Sequence, residues 1–246
     1  MIIIGVDHAT EPSKTGLALG RFKDSQMTVI DVIVASSSEL PEVIINEWLQ
    51  NENPALLALD APLGWPATLA RGLASHNAGE LLPGDSNDLF RRETDRVVKA
   101  EIHKQPLDVG ADRIARTAHS ALSLLNTLRE ATGSNIPLAW HIDEITEPCA
   151  IEVYPAATLK VRDIPTQSYK EKKDFTRRIN ILNKLSEYLT IGTTCKDMCV
   201  SNADALDAVV CLLAASDFLQ DKCIQPHDMD LARKEGWIWV CHQEKK

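Results

Sequence analysis

An α/β fold with a mixed five-stranded sheet, in which an antiparallel meander is joined to parallel strands and flanked by helices, is what this sequence predicts. Three observations carry that expectation. The chain opens on a continuous apolar run, Ile2-Ile3-Ile4-Gly5-Val6, closed by Asp7, as a strand buried on both faces does. Two further strand-like runs follow around a short polar turn. Beyond them a helical stripe separates this set from a fourth apolar run, and a helix between two strands implies a crossover.

Taken in order, Ile2–Asp7 is the central strand, and residues 16–22 and 27–35 complete the meander around Lys23-Asp24-Ser25-Gln26. Over 39–50, Leu40, Val43, Ile44, Glu47 and Trp48 fall at helical spacing, and residues 51–54, ending in Pro54, stop that helix before strand four at 55–60. Between 61 and 110 the chain is punctuated by Pro62, Gly64, Pro66, Pro83, Gly84 and Pro106, with a charged helix at 88–104, and reads as an irregular, helical insertion over the strand ends. Asp112–Thr132 is a long amphipathic helix, 149–154 the fifth strand, 170–189 a helix and Ala203–Leu219 a strongly apolar one. Residues 236–240 add a short edge strand. No repeat, linker or low-complexity stretch divides residues 1–246, so one domain is expected.

Composition narrows the function classes. With 246 residues, 44% hydrophobic and 25% charged, the chain can bury a substantial core. No run approaches the roughly 20 apolar residues of a membrane span, and no basic segment precedes the first strand, so a cytoplasmic protein without a membrane partner is expected. The six cysteines have no C-x-x-C spacing, which argues for reduced thiols and against zinc. A net charge of -9 argues against indiscriminate coating of nucleic acid. Residues 160–184 nonetheless hold eight Lys or Arg against three acids, net +5, a stretch suited either to phosphates or to a solvated helix face.

The chemistry sits in the acids that close apolar segments: Asp7, Asp60, Glu152 and the helical pair Asp204/Asp207. An ionised carboxylate taken from water without a partner costs several kcal/mol, and a divalent cation removes that cost. Carboxylates with no His or Cys favour Mg²⁺ or Mn²⁺. Parallel pairing of strands one and four would set Asp7 and Asp60 at neighbouring C-terminal ends, where ligand sites of open α/β sheets lie. Three of these acids also have a structural account. Asp7 and Asp60 suit turns, and Asp204 follows Ser201-Asn202-Ala203 in a first helical turn, where negative charge suits the dipole. Asp207, among Leu206, Ala208, Val209 and Val210, has none.

The segments GVDHATEPSKTGLAL (5–19), LALDAPLGWP (57–66), RRETDR (91–96), IEVYPAATL (151–159), DALDAVVCLLAA (204–215) and EGWIWV (235–240) together resemble domain-of-unknown-function family 429, predicted nucleases with a ribonuclease H-like fold. The resemblance implies that Asp7 is the first-strand aspartate of such enzymes, Asp60 the acid ending the fourth strand, and Asp207 or Asp204 the acid of the last helix. Glu152 belongs to the family's own motif. Arg92, Asp95 and Arg96 match another family segment, where the arginines bind phosphate or brace the insertion.

The expected activity is phosphodiester hydrolysis of nucleic acid with Mg²⁺ or Mn²⁺ held by Asp7, Asp60 and Asp207, Asp204 and Glu152 supplementing the catalytic set, and Arg92 or Arg96 holding a substrate phosphate. Two rivals stand beside it. Gly5-Val6-Asp7 followed by Thr15-Gly16 also suits the phosphate loop of an ATP-dependent phosphotransferase of the actin-like or sugar-kinase type, although that architecture needs two such domains. A non-catalytic binding protein that keeps the fold is the other.

Overall fold

The structure, a computed structural model, describes residues 1–50, 52–110, 112–171 and 173–243. Strand β1 (Ile2–Asp7) pairs antiparallel with β2 (Gly16–Lys23), and β2 antiparallel with β3 (Gln26–Val34), which is the expected meander. Helix α1 (Pro41–Leu49) crosses to β4 (Ala55–Leu59), parallel to β1 with Val6 opposite Leu59. Asn51, part of the expected helix stop, lies outside the described residues.

The insertion carries α2 (Ala67–Leu73), α3 (Ser86–Phe90) and α4 (Glu93–Ile102). The single helix expected at 88–104 is therefore two, broken where Arg91 and Arg92 are extended. After α5 (Asp112–Thr132), β5 (Cys149–Glu152) joins β4 in parallel. Then come α6 (Pro155–Lys160), α7 (Phe175–Leu185) and a sixth strand, β6 (Leu189–Ile191), which pairs parallel with β3. The sheet is thus six-stranded in the order β5-β4-β1-β2-β3-β6, not five-stranded. Three residues are too few for a period to register, so β6, which overlaps the helix expected at 170–189 only at Leu189, is not foreseen by the sequence. The expected edge strand at 236–240 is a correction of the opposite kind: Ile238 makes one isolated bridge to Glu152 and no ladder.

Helices α8 (Thr193–Ser201), α9 (Ala203–Leu219) and α10 (Met229–Glu235) complete the chain. No helix among the described residues is long and apolar enough to cross a membrane. Two cores lie on opposite sheet faces. Ile2, Ile4, Val6, Leu57 and Leu59 pack with α1 and α5, whereas Ile3, Leu56, Ala58 and Ile151 pack with α9. Every residue of α9 from Ala205 to Leu219 is buried. Each buried Leu, Val or Phe of this stretch contributes about 1.5–3 kcal/mol, and together they offset the cost of burying Asp207 among them. Two glycines set how closely the helix sits. A methyl on Gly5 would collide with the Ala208 carbonyl, and one on Gly16 with the Asp204 carbonyl.

A candidate acidic site at the strand ends

Alternation along the strands decides which acids meet. Ile3 faces α9, so the side chain two pleats on, at Asp7, continues that face; Leu56 and Ala58 place Asp60 on it likewise. The Asp60 amide donates to the Val6 carbonyl at 2.8 Å, so the two strand ends are in register. From above, Asn202 caps α9 by accepting from the Asp204 and Ala205 amides at 2.7 and 3.1 Å, which puts Asp204 and Asp207 one turn apart over β1 and β2. Asp7 and Asp207 are buried, while Asp60 and Asp204 keep partial access to solvent.

The electrostatics report the convergence. Burial raises the Asp7 carboxyl well above its usual range, Asp207 raises it further, and Asp60 and Asp204 add to this against the pull of Lys170. Asp60 is pushed up to about 7 by burial, with Lys170 opposing and Asp207 then Glu152 adding to the rise. Burial also raises Asp204, where Lys170 opposes and Asp207 adds. These carboxyls are close enough to disfavour one another's charge.

Three residues that sequence reasoning did not assign to the site join it. The Tyr169 hydroxyl donates to Asp207 Oδ1 at 2.7 Å, and the Lys170 ammonium lies 2.5 Å from Asp207 Oδ2. That second oxygen has the ion pair but no well-directed hydrogen bond. The Lys170 side chain is 58% exposed, so desolvation works only weakly against its charge, and Asp207, then Asp7 and Asp60, hold the ammonium protonated. Tyr154, from the segment after β5, adds a hydroxyl pushed up to about 12 by burial and then by Asp60. Tyr169 and Lys170 precede α7, whose start the local pattern places at Lys170, and no sequence signal announced either of them.

Glu152 is not part of this group. It pairs in register with Leu59, which belongs to the opposite core, and so points to the other face. There its carboxylate accepts from Arg92 Nη1 at 2.8 Å and Nη2 at 2.7 Å, and from the Leu63 amide at 2.9 Å. Arg92 also donates from Nε and Nη2 to Asp95 at 3.2 and 3.0 Å and from Nη1 to the Glu235 carbonyl at 3.2 Å. All five guanidinium N–H groups are thereby used, and Arg92 is 1% exposed. The Glu235 carboxylate accepts from the Ala67 and Glu93 amides at 2.7 and 2.8 Å, the starts of α2 and α4. Gly236 has φ of 84°, and a methyl there would press on Glu152 and Arg92. Arg92 is thus a brace and has no donor left for a phosphate.

Arg96 lies elsewhere too, bonded to the Arg91 carbonyl at 3.0 Å and lining a cleft of about 680 Å³ with Glu93, His227 and His242. The basic stretch at 160–184 is not one face. Arg162 pairs with Asp217 at 2.5 Å, Arg178 is buried against the Val200, Tyr169 and Glu171 carbonyls, and Lys170 turns into the acids. Lys172 lies outside the described residues. Among the described residues, no group of three or more His, Cys, Asp and Glu side chains is arranged to hold a metal ion. The donor set of Asp7, Asp60 and Asp207 suits a hard cation chemically, and the position facing Asp207 Oδ2 is taken by an ammonium.

A family model described as "Protein of unknown function (DUF429)" matches residues 5–231. The chain belongs to the DUF429 family. The matched span takes in Asp7, Asp60, Arg92, Arg96, Glu152, Asp204 and Asp207, and stops before the 235–240 segment that closes the Arg92–Glu152 brace. No curated protein and no solved structure matches the chain.

Proposed function

We propose that this DUF429 protein is a metal-dependent hydrolase of phosphodiester bonds in nucleic acid, built on a ribonuclease H-like sheet. The observation that carries the reading is the meeting of Asp7, Asp60 and Asp207 at one end of the sheet, with Asp207 wholly buried. The meander β1-β2-β3, with β4 and β5 running parallel to β1 beyond it, supports the finer fold reading. Asp7, Asp60 and Asp207 would hold Mg²⁺ or Mn²⁺, with Asp204 beside them. When bound, such an ion supplies a water of lowered pKa and stabilises charge on the leaving oxygen. Tyr169 fixes the orientation of Asp207, and Lys170 neutralises its second oxygen until a cation takes that place. Arg92 holds the insertion in place and does not touch substrate.

A second reading has its own observation. Lys170 neutralises Asp207 and Arg92 neutralises Glu152 from within the chain, as a non-catalytic protein that keeps the fold would arrange them. Calorimetric titration with Mg²⁺ and Mn²⁺, followed by cleavage assays on single-stranded, duplex and branched DNA and RNA, separates the two. Metal binding and cleavage by the wild type, both lost in Asp7→Asn, are expected. A folded wild type and a folded Lys170→Met variant that neither bind metal nor cleave leave the non-catalytic reading.

A further inference from the structure

Cys223 and Cys241 lie directly opposite each other in a two-residue antiparallel bridge between the segment after α9 and the C-terminal segment. The flanking bonds define the kind of pair. The Ile224 amide donates to the Val240 carbonyl at 2.9 Å and the His242 amide to the Lys222 carbonyl at 3.4 Å, so the cysteines between them form a non-hydrogen-bonded pair. In such pairs the Cα atoms stand about 4.5 Å apart with both side chains on one side of the ladder, inside the range that a disulfide spans. The two thiols differ in access. Cys223 is 4% exposed, whereas Cys241 is partly open and lines a cleft of about 1250 Å³ with Tyr188, Asp217 and Lys222. Arg162 donates from Nη1 to Cys241 Sγ at 3.4 Å while its Nη2 is held by Asp217 at 2.5 Å, which sets a positive group against the accessible sulfur.

We propose that Cys223 and Cys241 are a redox-modification site, closing to a disulfide when the protein meets a small-molecule disulfide such as oxidised glutathione. The Cys241 thiol loses its proton to solvent and its sulfur attacks one sulfur of the small molecule, whose S–S bond breaks and whose first thiol leaves with a proton. Cys223 sulfur, likewise deprotonated, then attacks Cys241 sulfur and expels the second thiol, so the pair gives two electrons to the oxidant and two small thiols are released. The bond pins the C-terminal strap. That strap holds Ile238 N to Thr94 Oγ1 at 2.8 Å and Trp239 N to the Glu152 carbonyl at 2.9 Å, so the closed form locks the insertion onto β5. Burial raises both thiols, Cys241 to about 11 with the Asp217 carboxylate adding to the rise and Arg162 opposing it, so the reaction is slow near neutrality and faster in mild alkali.

The test is oxidation of the folded, full-length chain by oxidised glutathione at mildly alkaline pH, then blocking of free thiols, digestion and mass spectrometry without reductant. A peptide pair joined through Cys223 and Cys241, reversed by dithiothreitol and accompanied by a Tm rise of about 5–10 °C, is expected. Cys223→Ser, folded by circular dichroism, should stop at a glutathione adduct on Cys241, and Cys241→Ser should leave Cys223 unmodified. A wild type that keeps the adduct without closing, pairs other cysteines, or does not react under these conditions overturns the proposal.

Discussion

Replacing Arg92 by Met tests whether that arginine is a brace or a phosphate ligand. Met is close in length and removes the guanidinium, leaving Glu152 and Asp95, with side chains 3% and 1% exposed, without their counter-charge. Breaking a buried pair by removing one partner costs about 3–5 kcal/mol, because the abandoned charge stays in a poorly solvating place. The individual hydrogen bonds to those carboxylates are not additive with that figure. In a chain of this length about 1 kcal/mol shifts Tm by about 2–4 °C, so a fall of about 6–20 °C is expected. Thermal and urea unfolding of the wild type, Arg92→Met, Glu152→Gln and the double variant would show the double variant less destabilised than the sum of the singles. Arg92→Lys, with three donors and no planar fork, should fall between. A Tm within about 2 °C of wild type, together with weakened nucleic-acid binding, would refute the brace and return Arg92 to the substrate.

Three more outcomes follow from the acidic site. Asp60 titrates at about 7 in the folded chain against an ordinary 3.8, so between those values the folded state keeps a proton that the unfolded state has released. Stability without divalent ions should therefore fall as pH rises through that window, by at most about 4 kcal/mol, and urea midpoints should show the slope flattened in Asp60→Asn. Lys170→Met removes the ammonium facing Asp207 and is expected to tighten Mn²⁺ binding at least about tenfold by calorimetry; unchanged affinity would mean that Lys170 and the metal do not compete. Gly16→Ala drives a methyl into the Asp204 carbonyl, and should cost about 1–3 kcal/mol or more in chemical unfolding while displacing α9 enough to weaken metal binding.

The acids were legible to different degrees, for physical reasons. Asp7 and Asp60 could be placed together because the meander and the crossover predict parallel pairing of β1 and β4, and that pairing alone brings their C-terminal ends side by side. Asp207 stood out because an acid in an apolar helix has no local use. Glu152 looked equivalent in sequence, closing an apolar run like the others, yet its register with Leu59 turns it to the other face. The segments at 91–96, 151–159 and 235–240, which resemble family motifs, meet around Arg92, Glu152 and Glu235 as a buried brace.

By itself the sequence determined the meander, the crossover, the buried helix α9 and the acids at the strand ends, because strand alternation, helical period and the cost of an unpaired carboxylate are local properties. Only the tertiary structure decided which charge answers which. The partners of Glu152 and Asp207 are Arg92, 60 residues away, and Lys170, whose loop folds back over the strand ends. Ion pairs between distant segments leave no period in the chain. They exist because packing brings opposite charges from distant segments to the same place.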